Sequence, residues 1–124
     1  EKADYENAQN ALITERFEES LILFERFLEN YPDSPLSASV IIAKGNAYEG
    51  LGETKKAARA YLNSFSLYGD SPVAPEALTL LGNALVNLGQ IDAGCQTLAQ
   101  VLMRFPDSDY SLEAEKMMSE LQCP

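Results

Sequence analysis

The side chains able to do chemistry in this chain are carboxylates, hydroxyls and two thiols, because its 124 residues include no histidine. Without an imidazole there is no Ser-His or Cys-His nucleophile pair and no histidine metal ligand. Glu15 with Glu19, and Glu25 with Glu29, stand four apart, a spacing that puts two carboxylates on one helix face as an acid-base pair would need. Those faces lie opposite Leu21, Phe24 and Leu28, so the pairs are solvated surface. Asp107-Ser108-Asp109 suggests calcium, but the spaced oxygen ligands and later glutamate of a calcium-binding hand are missing, and a helix cap explains it better. G-N-A-Y-E-G-L-G, Gly45 to Gly52, suggests a phosphate loop, yet it lacks the lysine followed by serine or threonine that such a loop requires. Cys95 and Cys123 are too few and too widely spaced for a zinc site. One bridge or two free thiols remain. No catalytic residue, metal or cofactor is expected.

What positions these groups is one domain of soluble, globular composition. Apolar residues make up 46% of the chain, and no run approaches the ~18 apolar residues of a membrane span. Membrane insertion is therefore not expected. The net charge of −10 repels phosphate backbones and anionic lipid, which excludes nucleic acid and favours neutral or basic partner surfaces. The chain starts at Glu1 with no basic-then-apolar leader, so any export signal is expected to have been removed or to lie upstream.

The sequence repeats with a period of 37: Asp33, Asp70 and Asp107 align, as do Ser34, Ser71 and Ser108. Gly45 falls on Gly82, Gly52 on Gly89, and Phe24, Tyr61 and Leu98 share one slot. A period of this length signals stacked supersecondary units, none able to bury its apolar face alone. Each unit reads as two helices. Ser39 to Gly50 carries an apolar face and ends at the glycines of G-L-G, Gly50 and Gly52; Glu53 to Tyr68 repeats apolar residues at spacings of three and four, with Lys55, Lys56, Arg59 and Asn63 on its wet side. Between units, Ser34 is placed to cap free amides, Pro35 to take the first helical position and Asp33 to favour the positive helix end. Pro75 should delay the third unit's first helix. Gly45 and Gly82 lie mid-helix, where glycine costs about 1 kcal/mol relative to alanine. Close approach of a neighbouring helix is the compensating reason, for the same slot is Ala8 in the first unit and the opposing slot reads Ser20, Ala57 and Gly94.

With small residues at Ala8, Ser20, Gly45, Ala57, Gly82 and Gly94, large ones at Phe24, Tyr61 and Leu98, and Pro32 and Pro106 near unit ends, each unit resembles the tetratricopeptide repeat. It departs from that pattern at Asp4, Ile41 and Leu78 and in having a period longer than the usual ~34 residues. The resemblance implies an all-α fold: a right-handed α-solenoid of three tetratricopeptide-like helix pairs plus a C-terminal capping helix. The expected organisation is a single domain over 1–124, with units 1–37, 38–74 and 75–111 and a terminal helix in 112–124. A narrower similarity rests on F-E-R-F-L-E-N-Y-P-D-S-P, A-K-G-N-A-Y-E-G-L-G, C-Q-T-L-A-Q-V-L-M-R-F-P-D-S and the final L-Q-C-P. These stretches look like the C-terminal repeat domain of the CpoB (YbgF) family of the Tol-Pal system.

That similarity implies a non-enzymatic periplasmic protein that binds TolA and helps coordinate outer-membrane constriction with septal peptidoglycan synthesis in cell division, with a peptidoglycan synthase as a further partner. It also implies trimerisation through an N-terminal coiled coil that this chain does not contain. The alternatives are a BamD-like outer-membrane assembly adaptor, since that family also carries F-x-x-F-x-x-x-Y-P-x-S units, and a self-associating scaffold. Antiparallel neighbours would bring Cys95, early on its helix, close to Cys123, after the last helix. In an oxidising envelope compartment the pair is expected to bond and to stabilise the fold by roughly 3 to 4 kcal/mol; unpaired thiols are the alternative.

The first helices of successive units should line the inner curve of the solenoid. Their inward slots are Tyr5, Ile42 and Thr79; Gln9, Asn46 and Asn83; and Leu12, Glu49 and Val86, with Lys2, Ser39 and Glu76 at the entrance. Amide side chains can satisfy an extended peptide's backbone while Tyr5, Leu12, Ile42 and Val86 offer apolar patches. A clamp for a chaperone's terminal carboxylate is not expected, because lysines would be needed near Ile42 and Thr79.

Overall fold

The 37-residue period reappears in the helix boundaries. In the computed structural model, which describes residues 1–124, the order is α1 (Lys2–Ile13), α2 (Phe17–Asn30), α3 (Ser37–Gly50), α4 (Thr54–Leu67), α5 (Ala74–Asn87), α6 (Ile91–Arg104) and α7 (Asp109–Leu121), with no strand. Helices α2, α4 and α6 begin and end 37 residues apart, as do α3 and α5. Consecutive helices pack on one another, and α1 also touches α3 and α5 touches α7. The result is an α-solenoid of helix pairs.

Small residues set how closely the pairs approach. A Cβ on Gly45 would stand 2.4 Å from Tyr61 Cε1, and one on Gly82 would stand 2.8 Å from Leu98 Cδ2. The contact is reciprocal in the last pair, where a Cβ on Gly94 would meet Val86 Cγ2 at 2.5 Å. Each missing side chain on one helix therefore makes room for a large one on the next. Tyr61, Phe24 and Leu98 are fully buried there, each burial being worth about 1.5 to 3 kcal/mol. Two apolar clusters result, one around Phe24, Phe27 and Val40 and a larger one from Ile42 and Tyr61 to Leu98 and Ala114. Ser64 Oγ, also buried, donates to the Ala38 carbonyl at 3.0 Å and ties α4 to α3.

The helix ends follow one motif. After α3, the Glu53 amide donates to the Tyr48 carbonyl and the Gly52 amide to that of Glu49, with Gly52 at φ +76°. This is a Schellman cap, and Gly89 repeats it at φ +84° after α5. After α1 the same bonds form from Arg16 and Glu15, but the left-handed position is held by Glu15 at φ 61°. A side chain there costs roughly 1 kcal/mol or more.

Several local expectations change. Pro75 does not delay α5, which starts at Ala74, because a first-turn residue has no intrahelical use for the amide proline lacks. Pro35 lies outside α3, in a turn closed by the Ser37 amide donating to the Ser34 carbonyl at 3.1 Å. Ser34 Oγ accepts from the Leu36 amide at 3.0 Å, one turn before the helix. Only Ser108 caps a helix directly, accepting from the Tyr110 amide at 3.0 Å, and α7 consequently begins at Asp109 rather than Leu112. Of the two glycines in G-L-G, Gly52 supplies the turn, while Gly50 leaves room for the Phe17 ring, which a Cβ would meet at 2.4 Å.

Cys95 at the start of α6 and Cys123 after α7 are bonded, Sγ to Sγ at 2.05 Å. The closed loop, with a sequence separation of 28, pins α7 to the stack. Replacing both cysteines by alanine should lower unfolding free energy by about 3 kcal/mol in urea titration; unchanged stability would mean the bridge constrains nothing. Glu15→Gly should raise stability by about 1 kcal/mol, and a thermal melt showing no gain would remove the strain assigned to that turn.

Candidate functional site

Helices α1, α3, α5 and α7 occupy equivalent places in the stack, and the sequence positions assigned to the inner slots lie along them. Tyr5 and Gln9 are half-buried and engage each other: Gln9 Nε2 donates to the Tyr5 hydroxyl at 2.7 Å, while the Tyr5 ring meets Phe27 edge-on at 6.0 Å. Leu12 is half-buried against the first apolar cluster. Lys2 is exposed, with Glu6 4.0 Å away, and Ser39 is half-buried.

Asn46 and Glu49 converge on the buried Tyr61. Its hydroxyl lies 2.8 Å from Asn46 Oδ1 and 2.9 Å from Glu49 Oε2. One phenolic proton cannot serve both acceptors. The charged Glu49 takes it, and Asn46, turned so that its amide nitrogen donates to the phenol oxygen, completes a chain Asn46–Tyr61–Glu49. Burial, then the bond to Glu49 and the charges of Glu49 and Glu76, push the Tyr61 phenol far above its ordinary range and keep it a neutral donor.

Asn83 and Val86 come together in a cleft of about 260 Å³, whose other walls are Met117, Glu120 and Leu121 of α7. Glu76 is half-buried, and that burial together with nearby Glu113 raises its carboxyl above the usual value. Burial and the charges of Glu76, Glu113 and Asp109 likewise raise Tyr110.

Two expected groove residues are withdrawn from the surface. Ile42 is 4% exposed and belongs to the larger apolar cluster, and Thr79 is 2% exposed with its Oγ donating to the Pro75 carbonyl at 2.8 Å. Neither can offer a patch to a partner, because the adjoining helices already cover them. Conversely, α7 adds Tyr110, Glu113, Met117 and Glu120 to the wall. The period itself points to two of these: Glu113 lies 37 residues after Glu76, and Glu120 the same distance after Asn83.

The carboxylate pairs stay outside. Glu15, Glu19, Glu25 and Glu29 are all exposed, Glu19 bonded to Arg16 at 2.8 Å and Glu25 lying 3.9 Å from Lys44.

A stack of helix pairs presenting a wall of half-exposed amides, carboxylates and apolar side chains is the form of a protein-interaction module. Residues 76–108 match the family model described as tetratricopeptide repeat. Together with the all-helical fold, that match supports a tetratricopeptide repeat protein, a class whose members typically bind other proteins and do not catalyse reactions. No curated protein matches the chain. No helix is long and apolar enough to cross a membrane.

The raised carboxyl of Glu76 has a stability consequence. The folded state holds its proton more tightly than the unfolded chain does, so this group's contribution is fully present below the unfolded pKa near 4.5 and is lost as pH rises through the folded value. Glu76→Gln should therefore raise Tm at pH 7, and the difference from wild type should shrink as pH falls below 4.5. A gap that persists in acid would contradict it.

Proposed function

We propose that the chain is a non-catalytic, periplasmic protein-binding module of the Tol-Pal system, in the manner of the CpoB family, and that it binds TolA along the inner surface formed by α1, α3, α5 and α7. The observation that carries this is the ladder Gln9, Asn46, Asn83 and Glu120, spaced by the repeat along alternate helices. An extended peptide requires partners for its amides and carbonyls at intervals, and amide side chains both donate and accept. Gln9 and Asn46 each spend one bond on a tyrosine and keep others for a ligand.

The wall also carries Glu49, Glu76 and Glu113, which suits a partner segment with basic side chains. The Cys95–Cys123 bond suits an oxidising compartment such as the periplasm. The sequence similarity to the CpoB family supports the remaining parts: a contribution to coordinating outer-membrane constriction with septal peptidoglycan synthesis, a peptidoglycan synthase as second partner, and trimerisation through an N-terminal coiled coil in the intact protein.

Immobilised TolA should retain the wild-type chain and lose about tenfold in affinity for Asn46→Ala with Asn83→Ala, as expected when buried amide bonds go unmade. Equal retention of both would overturn the inner-surface assignment, and no retention of the wild type would overturn the Tol-Pal assignment.

A further inference from the structure

The largest cavity is not on the wall of alternate helices. It lies between α2 and α4, floored by α3, and holds about 380 Å³. Three of the protein's nine basic residues, Lys44, Lys56 and Arg59, line it together with Leu28, Tyr48 and Leu67, and no carboxylate is among its lining residues. In a chain of net charge −10, that concentration of cations is a local inversion of sign.

The repeat supplies a control for whether packing requires it. One period later, Lys44, Lys56 and Arg59 become Leu81, Ala93 and Gln96, all neutral, while Leu28 becomes Phe65 and Leu67 becomes Arg104. There the Arg104 guanidinium stacks 4.9 Å over the Phe65 ring and Phe105 meets Phe65 edge-on at 6.3 Å, filling the space. The same scaffold thus forms the equivalent groove closed, with one arginine stacked on an aromatic ring in place of three cations lining an open groove. The open, cationic version arises from side chains that the stack does not need.

The cations are only loosely engaged within the chain, Lys56 also lying 5.9 Å over the Tyr48 ring. Arg59 is exposed and forms no ion pair, Lys44 stands 3.9 Å from Glu25, and Lys56 stands 3.4 Å from Glu53 on its own helical turn. Lys44 is half-buried and the other three partners are exposed, and pairs at such separations stabilise little and can be exchanged for a better carboxylate. Leu67 is 68% exposed beside them, an apolar surface awaiting cover.

We propose that the groove between α2 and α4 is a second docking site, which binds an acidic segment of a partner protein by its carboxylate side chains, with a neighbouring apolar side chain seated on Leu28, Tyr48 and Leu67. Lys44, at the floor, and Arg59, at the rim, hold the carboxylates; Arg59 is suited to grip one in bidentate fashion. The site is independent of the TolA assignment, since its residues lie apart from the amide ladder.

A random peptide library displayed on phage, panned against the intact chain at low salt, tests this. The selected peptides are synthesised with a fluorophore and titrated by anisotropy against wild type, Lys44→Gln with Arg59→Gln, and Asn83→Ala. The dominant peptides should pair Asp or Glu with Leu or Phe, lose about tenfold in affinity for the double variant, weaken as salt is raised and bind Asn83→Ala normally. Arg59→Glu alone, at an exposed position, should reproduce most of the loss if the double variant melts early. Peptides without acidic enrichment, or indifferent to both groove variants, would overturn the proposal. So would dimers of the chain that Arg59→Glu abolishes, which would make a second copy the occupant.

Discussion

The structure depends on two side chains being absent where two large ones are present. Gly45 lies under the Tyr61 ring and Gly82 under Leu98, at distances that admit no methyl group. Glycine inside a helix sacrifices about 1 kcal/mol of backbone entropy relative to alanine, and the buried side chains opposite more than offset it. The first pair solves the same problem less tightly, with Ala8 and the fully buried Phe24 in the corresponding slots. Because each pair closes in the same way, the helices repeat at one spacing, and positions a period apart fall into columns along the stack.

Those columns divide the surface. Along α1, α3, α5 and α7 run amides and carboxylates, with Tyr61 reaching through from α4 to anchor Asn46 and Glu49. The phenol therefore serves both packing and polarity: its ring fills the space over Gly45, and its hydroxyl orients two wall residues. Between α2 and α4 the charge reverses, because Lys44 on the floor helix α3 and Lys56 and Arg59 on α4 of the same pair line one groove. The disulfide ties α7, which packs on α6 and α5, to the start of α6.

Much of this was legible in the sequence because a period is a strong constraint. The three helix pairs and the small-residue columns follow from sliding the chain along itself, and the proximity of Cys95 to Cys123 from the antiparallel packing of neighbouring helices. What failed was local or long-range. The helix starts moved because each serine closes a turn through its carbonyl and Oγ; Pro35 lies in that turn before α3, whereas the same bonds at Ser108 lead directly into α7. Ile42 and Thr79 share a face with Asn46 and Asn83, but their exposure is decided by neighbouring helices that no single-helix pattern reveals. The cationic groove was hidden for the same reason: Lys56 and Arg59 read as an ordinary wet face until α3 brings Lys44 beside them. Glu113 and Glu120 were within reach of the period and needed only its extension into α7.

A double-mutant cycle on the packing of α3 against α4 tests the central contact most directly. In the wild-type background Gly45→Ala should destabilise the fold by about 1 to 3 kcal/mol, the usual cost of overpacking. With Tyr61→Ala already in place the same substitution should instead stabilise it by up to about 1 kcal/mol, since only helix propensity then remains. Identical effects in both backgrounds would mean that the ring does not lie on Gly45 and that the helix pairs are held at their spacing by something else.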